Sequence, residues 1–213
     1  MVGSAGTRSR SLLEIDAITC RGLAPVTFRI ESGECITVSG ASGVGKSLFL
    51  RALVDLDPND GDVRLDGRSR NAMPAPRWRR QMIYVPAESG WWADDVGAHF
   101  PDRDAAAGML ERLGMPRDCF AWPVARLSTG ERQRLALVRA LILSPRAMLL
   151  DEPTSGLDPE TTTSVEMLLC EVLANGAAMI VVSHDRDQAL RLGHRQCRIA
   201  DGVFHETVAE GTE

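Results

Sequence analysis

The sequence predicts an α/β fold, and three features of it carry that prediction. The runs AMLLD (Ala147 to Asp151) and AAMIVVS (Ala177 to Ser183) are apolar up to their last residue. Parallel strands covered on both faces read this way. Strand-like and helical segments alternate along the chain, as in an α/β core. A glycine-rich segment, GASGVGKS (Gly40 to Ser47), stands between a strand-like run and a helical one.

Taken in order, strands are expected at Leu12–Ile18, Val26–Ile30, Cys35–Ser39, Val63–Leu65, Met82–Pro86, Ala147–Asp151, Ala178–Ser183 and Arg195–Ala200. Helical spacing marks Lys46–Val54, Ala105–Leu113, Gly130–Leu143 and Glu160–Asn175. Gly176 closes the last of these, as a glycine after a helix often does. The early strands have no helices between them, which predicts a small antiparallel sheet beside the parallel one. Residues 88–126 hold several prolines and three of the four tryptophans, and read as a helical insertion. The expected organisation is one domain over 11–207, with a helical subdomain at about 88–140 and disordered or frayed tails at 1–10 and 208–213.

The 213 residues are enough for a sizeable buried core. Hydrophobic residues make up 44% and charged residues 25%, the balance of a soluble globular protein. A net charge of −5 argues against a mainly electrostatic nucleic-acid binder. The five cysteines (Cys20, Cys35, Cys119, Cys170, Cys197) are scattered, odd in number and without a CxxC pair. They read as reduced, mostly buried thiols rather than a disulfide framework or a zinc site. No apolar run reaches the ~18–20 residues of a membrane span, so a membrane role would come through a partner.

Gly40-Ala41-Ser42-Gly43-Val44-Gly45-Lys46-Ser47 fits G-x-x-x-x-G-K-[ST], with a strand before it and a helix after it. Glycines let backbone amides turn inward around phosphate oxygens, and the helix N-terminus adds partial positive charge. Lys46 can neutralise the terminal phosphates, and Ser47 can offer a hydroxyl to Mg²⁺. The competing reading is a glycine-rich turn with a chance lysine, which the two correct flanks disfavour. The strand Ala147–Leu150 ends in Asp151 and Glu152, at the sheet edge where open α/β sheets bind ligands. Asp151 is the natural Mg²⁺ partner, and Glu152 could polarise a water for attack on the γ-phosphate. A solvated strand end is the alternative. Together these define a P-loop nucleotide-hydrolase core.

In order and spacing the motifs resemble the nucleotide-binding domain of ATP-binding cassette (ABC) proteins, from about Leu12 to Ala200. GASGVGKS matches the phosphate loop and LSTGERQR (Leu127 to Arg134) the signature motif. AMLLDEPTSGLD (Ala147 to Asp158) matches the Walker B strand and D-loop, and VVSHD (Val181 to Asp185) the switch-histidine segment. The resemblance implies ATP and Mg²⁺ as ligands, with Glu152 and His184 as the hydrolytic residues. It implies that Ser128, Thr129, Gly130 and Glu131 cap the γ-phosphate of ATP held by a second subunit, and that Asp158 links the two sites. A plain N-cap at Ser128, completed by Glu131, is the alternative, and the two are compatible. A homodimer or a second ABC subunit, and an integral membrane transporter subunit, are the implied partners. The implied location is cytoplasmic, at the inner face of the membrane through that partner. No nucleic acid is expected. The run Asp94 to Phe100 is similar to small bacterial cassettes of the iron-export type. A non-transport ABC ATPase, or a soluble regulator of a membrane protein, is the alternative function.

The sequence departs from the family in three places. The usual glutamine after a Y-V-P strand is replaced by Ala87, with Glu88 or Gln81 as candidate substitutes. The turn Thr19–Pro25 has no aromatic residue to stack on adenine, and Arg21 is a candidate in its place. Thr129 replaces the first signature glycine. Trp91 and Trp92 are adjacent and cannot both face one core easily, so one is expected at an interface with the membrane partner. The Arg77–Arg80 segment reads as a solvated helix end, and His99, His194 and His205 carry no assigned role.

Overall fold

A computed structural model describes residues 11–207, so the expected tails at 1–10 and 208–213 lie outside the described residues. In chain order the elements are β1 (Leu13–Cys20), β2 (Leu23–Ile30), β3 (Cys35–Ser39), α1 (Lys46–Leu53), β4 (Asp60–Leu65), β5 (Arg68–Ser69), α2 (Ala75–Gln81) and β6 (Met82–Val85). Then come α3 (Arg103–Arg112), α4 (Thr129–Leu141), β7 (Ala147–Asp151), α5 (Pro159–Ala174), β8 (Ala178–Val182), α6 (Arg186–Leu192), β9 (Arg195–Ala200) and β10 (Val203–Thr207). Single 3₁₀ turns join some of them.

The larger sheet has the order β10-β9-β3-β8-β7-β6. Its neighbours pair in parallel from β9 to β6, and β10 closes one edge antiparallel to β9. β7 and β8 are buried along their whole length, as their unbroken apolar runs require. Side chains on successive strand residues point to opposite faces. Ala147, Leu149, Ile180 and Val182 therefore join an apolar core with α1 and the smaller antiparallel sheet β2-β1-β4-β5. Met148, Leu150, Met179 and Val181 join a second core under α3, α4 and α5. The parallel strands all end on one edge, and that edge carries the site.

Four elements were not legible from periodicity: α2, α6, β10 and the two-residue β5. The Arg77–Arg80 segment is corrected by α2, since Trp78 is only 1% exposed and donates from Nε1 to Leu53 O at 3.1 Å. Arg70 donates to Ala52 O at 2.8 Å and Arg79 to Val54 O at 3.1 Å. These donors satisfy carbonyls that the end of α1 leaves without helical partners. The segment is a C-terminal clamp on the phosphate-loop helix, not a solvated end. α6 is short and is started by Asp185, whose carboxylate accepts from the amides of Asp187 and Gln188. β10 pairs on one side only, and its Phe204 ring stacks on Phe28 at 5.0 Å. Of the cysteines, Cys35, Cys119 and Cys197 are buried, whereas Cys170 is exposed. Burial pushes the Cys35 and Cys197 thiols up to about 12.

Candidate functional site

The chain between β3 and α1 folds back on itself to make the floor of the site. Gly40 has φ +150°, and a Cβ there would meet Ile199 O at 2.5 Å, so the position has no room for a side chain. Gly45 precedes α1 with φ +106° in the left-handed region, and no side chain caps the helix. The first turn of α1 thus presents its amides outward, toward a site for an anion. Lys46 is buried, and its ammonium donates to Gly40 O at 2.9 Å and Ala41 O at 3.0 Å. Its charge is held over the loop.

A cavity of about 310 Å³ opens at this point. It is lined by Ser42, Gly43, Gly45, Lys46, Ser47 and Leu48 from the loop and by Asp151, Glu152, His184 and Ala87 from three strand ends. Gly40 and Ala41 lie behind the lining and serve Lys46, and Val44 packs on the core. Residues far apart in the chain, from 42 to 184, converge because β3, β6, β7 and β8 end side by side.

Glu152 lies one residue beyond β7 with φ +53°, an uncommon conformation for a side-chain-bearing residue. Its Oε1 sits 3.1 Å from His184 Nε2, which is in turn 3.5 Å from Lys46 Nζ. The Glu152 carboxyl is raised above the usual carboxylate range. Loss of water on burial is the largest cause, and the His184 and Lys46 charges oppose it. Asp151 is buried and accepts from the Tyr84 hydroxyl at 3.1 Å. Burial and the Asp151 carboxylate push the Tyr84 phenol well above its ordinary value. Sequence reasoning missed Tyr84, although parallel pairing of β6 with β7 puts it in the layer of strand ends.

At Ala87 the cavity wall is a methyl group. Glu88 is exposed and does not line the cavity. Gln81 is excluded as a substitute. It sits at the opposite end of β6, where its amide bonds Met73 Sδ and Arg77 O.

The Ser128 turn does not line this cavity. Both halves of a capping box are present. Ser128 Oγ accepts from Glu131 N at 3.3 Å, and Glu131 Oε2 accepts from Ser128 N at 2.7 Å. That Ser128 amide is the main reason the Glu131 carboxyl is lowered. Gly130 packs on the loop after β7, where a Cβ would meet Leu157 Cδ2 at 3.2 Å and Gly156 O at 3.7 Å. Asp158 caps α5, accepting from Thr161 N at 2.9 Å and Thr161 Oγ1 at 2.7 Å, which lowers its carboxyl.

The arrangement fits a triphosphate. Lys46 and the loop amides line one side of the cavity, and the Asp151 and Glu152 carboxylates line the other. Among the described residues no cluster of three or more His, Cys, Asp or Glu could hold a metal alone. Fold and site thus define a P-loop nucleotide-binding protein.

Comparison with known proteins narrows the class. The ABC transporter family model matches residues 23–155. An aliphatic sulfonates import ATP-binding protein, SsuB 2 of Paracoccus denitrificans, is 34% identical over 94% of this chain and 85% of its own length. A lipoprotein-releasing system ATP-binding protein, LolD of Myxococcus xanthus, is 36% identical over 86% of this chain and 90% of its own. A solved ATP-binding subunit of an ABC transporter superposes with a TM-score of 0.83 at 23% identity, covering 94% of this chain and 91% of that one, which shows the fold. The chain belongs to the ABC transporter family, as one of its ATP-binding, ATP-hydrolysing subunits. One relative is named for import and the other for release, so what this chain shares with both is the motor and not the cargo. Among the described residues no helix is long and apolar enough to cross a membrane.

Proposed function

We propose that two copies of this chain pair head to tail around two ATP molecules and drive a separate integral membrane subunit. Residues 40–47 cradle the phosphates, with Lys46 as the cation. Ser128, Thr129, Gly130 and Glu131 of each copy cap the γ-phosphate held by the other, and Asp158 lies between the two sites. Ser47 and Asp151 hold Mg²⁺, which neutralises charge developing on the phosphates. Glu152 is the base for the attacking water, and His184 contacts the γ-phosphate. One domain, 11–207, carries the motor, with its helical part at about 88–140. It works in the cytoplasm at the inner face of the membrane, through its partner.

The observation that carries this reading is the division of the site. Loop, carboxylates and histidine share one cavity, while the signature turn of the same chain does not line it. A second copy supplies what the first lacks. ATP then drives closure through its stronger binding to the closed pair than ADP shows. Glu152→Gln, which keeps shape and removes the base, is expected to accumulate an ATP-dependent dimer in light scattering. A variant that binds ATP and stays monomeric at every concentration tested would overturn the reading.

The same geometry supports a docking face for the membrane subunit. Trp92 is 72% exposed, whereas Trp91 packs against the core. The Arg139 guanidinium lies 4.9 Å from the Trp91 ring and 4.8 Å from the Trp92 ring. Next to them is an apolar groove of about 290 Å³ lined by Ile83, Val85, Pro86, Trp92 and Leu143 among others. His99 builds this surface. It is buried, and its Nε2 accepts from the amides of Trp92 and Ala93 at 3.0 and 3.2 Å.

A further inference from the structure

The backbone of Glu152 is gripped from both sides. Its amide donates to Val182 O on β8 at 2.9 Å. Its carbonyl accepts a short hydrogen bond from Gln133 Nε2, on the second turn of α4. Gln133 is 6% exposed, and its Oε1 has no partner among the described residues. An unpaired buried acceptor costs stability, and an apolar side chain of the same size would avoid that cost. What the glutamine supplies and an apolar residue cannot is the donor to Glu152.

We propose that Gln133 is a positioning residue for hydrolysis. It holds the Glu152 peptide in the left-handed conformation seen here, at φ +53°. That conformation places the carboxylate on the cavity wall, 3.1 Å from His184. Without the donor the peptide can relax to a commoner backbone region, and the Cβ then swings away from the cavity. Gln133 sits on the helix whose first turn carries Ser128 and Gly130. The cap offered to one ATP and the grip on the base for the other therefore share one rigid element. The inference rests on the reading of Glu152 as the base.

The test measures steady-state ATP turnover of the full chain with its membrane subunit. Four forms are compared: parent, Gln133→Met, Glu152→Gln and the double variant. Gln133→Met keeps volume and removes the donor. Its kcat is expected to fall on the order of 10- to 100-fold, the size of effect a displacement of about 1 Å produces, with the KM for ATP unchanged. The double variant should turn over no more slowly than Glu152→Gln alone, because Gln133 acts only through that residue. Should Gln133→Met fail to fold, Gln133→Glu, equal in size and without the amide donor, must show the same loss of kcat at neutral pH. A Glu152→Gln variant that hydrolyses normally removes the base reading itself. A base-dependent enzyme in which Gln133→Met keeps parental kcat, or in which the two losses multiply, refutes the positioning role alone.

Discussion

Consider Glu152→Gln in an unfolding experiment run as a function of pH. Glutamine keeps the length of the side chain and cannot ionise. In the parent, burial holds the Glu152 carboxyl above the usual range, against the lowering influence of His184 and Lys46. The folded chain therefore binds this proton more tightly than the unfolded one does. The stabilisation is fully present below the unfolded pKa, ~4.3, and is lost as pH rises through the folded value. Subtracting parent from variant stability should give a curve that is flat in acid and climbs at up to about 1.4 kcal/mol per pH unit between the two pKa values, then levels off. The height of the rise divided by that slope measures the shift. The left-handed backbone is common to both proteins and cancels. With a side chain only 20% exposed, solvent screening leaves most of the effect in place. Urea titrations of the nucleotide-free chain from about pH 4 to pH 8 would supply the curve. Repeating the pair in a His184→Ala background removes the strongest opposing charge and should widen the rising window. A parent that gains on the variant as pH rises would refute the account of the base.

Three further predictions follow from the same geometry. Tyr84→Phe deletes the hydroxyl that Asp151 accepts at 3.1 Å, a bond to a charged group worth roughly 1.5–3 kcal/mol. The Mg²⁺ concentration for half-maximal ATPase should rise, and an unchanged Mg²⁺ titration would count against Asp151 as a ligand. Trp92→Ala gives up ring contacts to His99 at 4.4 Å and to Arg139 at 4.8 Å, each worth roughly 0.5–1 kcal/mol. It should lose about 1–2 kcal/mol of folding stability while remaining folded, and bind the membrane subunit about 2 kcal/mol more weakly, or ~30-fold, in a detergent-solubilised binding titration. Ala87→Gln restores a polar side chain to the cavity wall and should raise ATP turnover and alter its Mg²⁺ dependence. Identical kinetics would show that the position does not touch the chemistry.

The main sheet was legible because burial on both faces leaves a run of apolar residues ending at a polar edge, and β7 and β8 are such runs. The loop was legible because its glycines, lysine and serine serve one ligand at fixed spacing. What escaped was built from contacts between distant segments. Trp78 follows Arg77 and precedes two more arginines, and its burial depends on α1 ending directly above it. The role of His99 was not legible because all its hydrogen-bond partners are backbone groups: the amides of Trp92 and Ala93 and the carbonyl of Asp95. Tyr84 and Gln133 are single polar groups within apolar patterns. A polar residue on the buried face of a helix, as Gln133 is on α4, was the available signal. The residues from Asp94 to Phe100, which suggested a transport subtype, have a local structural reason. Val96 and Gly97 are buried, and a Cβ on Gly97 would strike Phe120 O at 2.7 Å.

The position of α4 explains why one helix gathers so many of these groups. Thirteen residues at about 1.5 Å each make a rod roughly 20 Å long. At its start, Gly130 lies against the loop after β7. One turn further, Gln133 holds the carbonyl of Glu152. Near its end, Arg139 lies among Trp91, Trp92 and Gly90 O. A helix stiffened by intrahelical hydrogen bonds and closed by a capping box moves as a unit. A load on Trp92 would therefore pass through Arg139 along α4 to Ser128 and, through Gln133, to Glu152. Coupling of this kind requires that α4 have two discrete positions, one favoured by ATP and the other by its absence. α4 meets the loop after β7 at Gly130 and the Glu152 carbonyl at Gln133, while its apolar face packs in the core shared with α3, β6 and β7. The Glu152 peptide is held at its amide by β8 and at its carbonyl by α4, so any change in how α4 sits against these strands is felt at the Glu152 carboxylate.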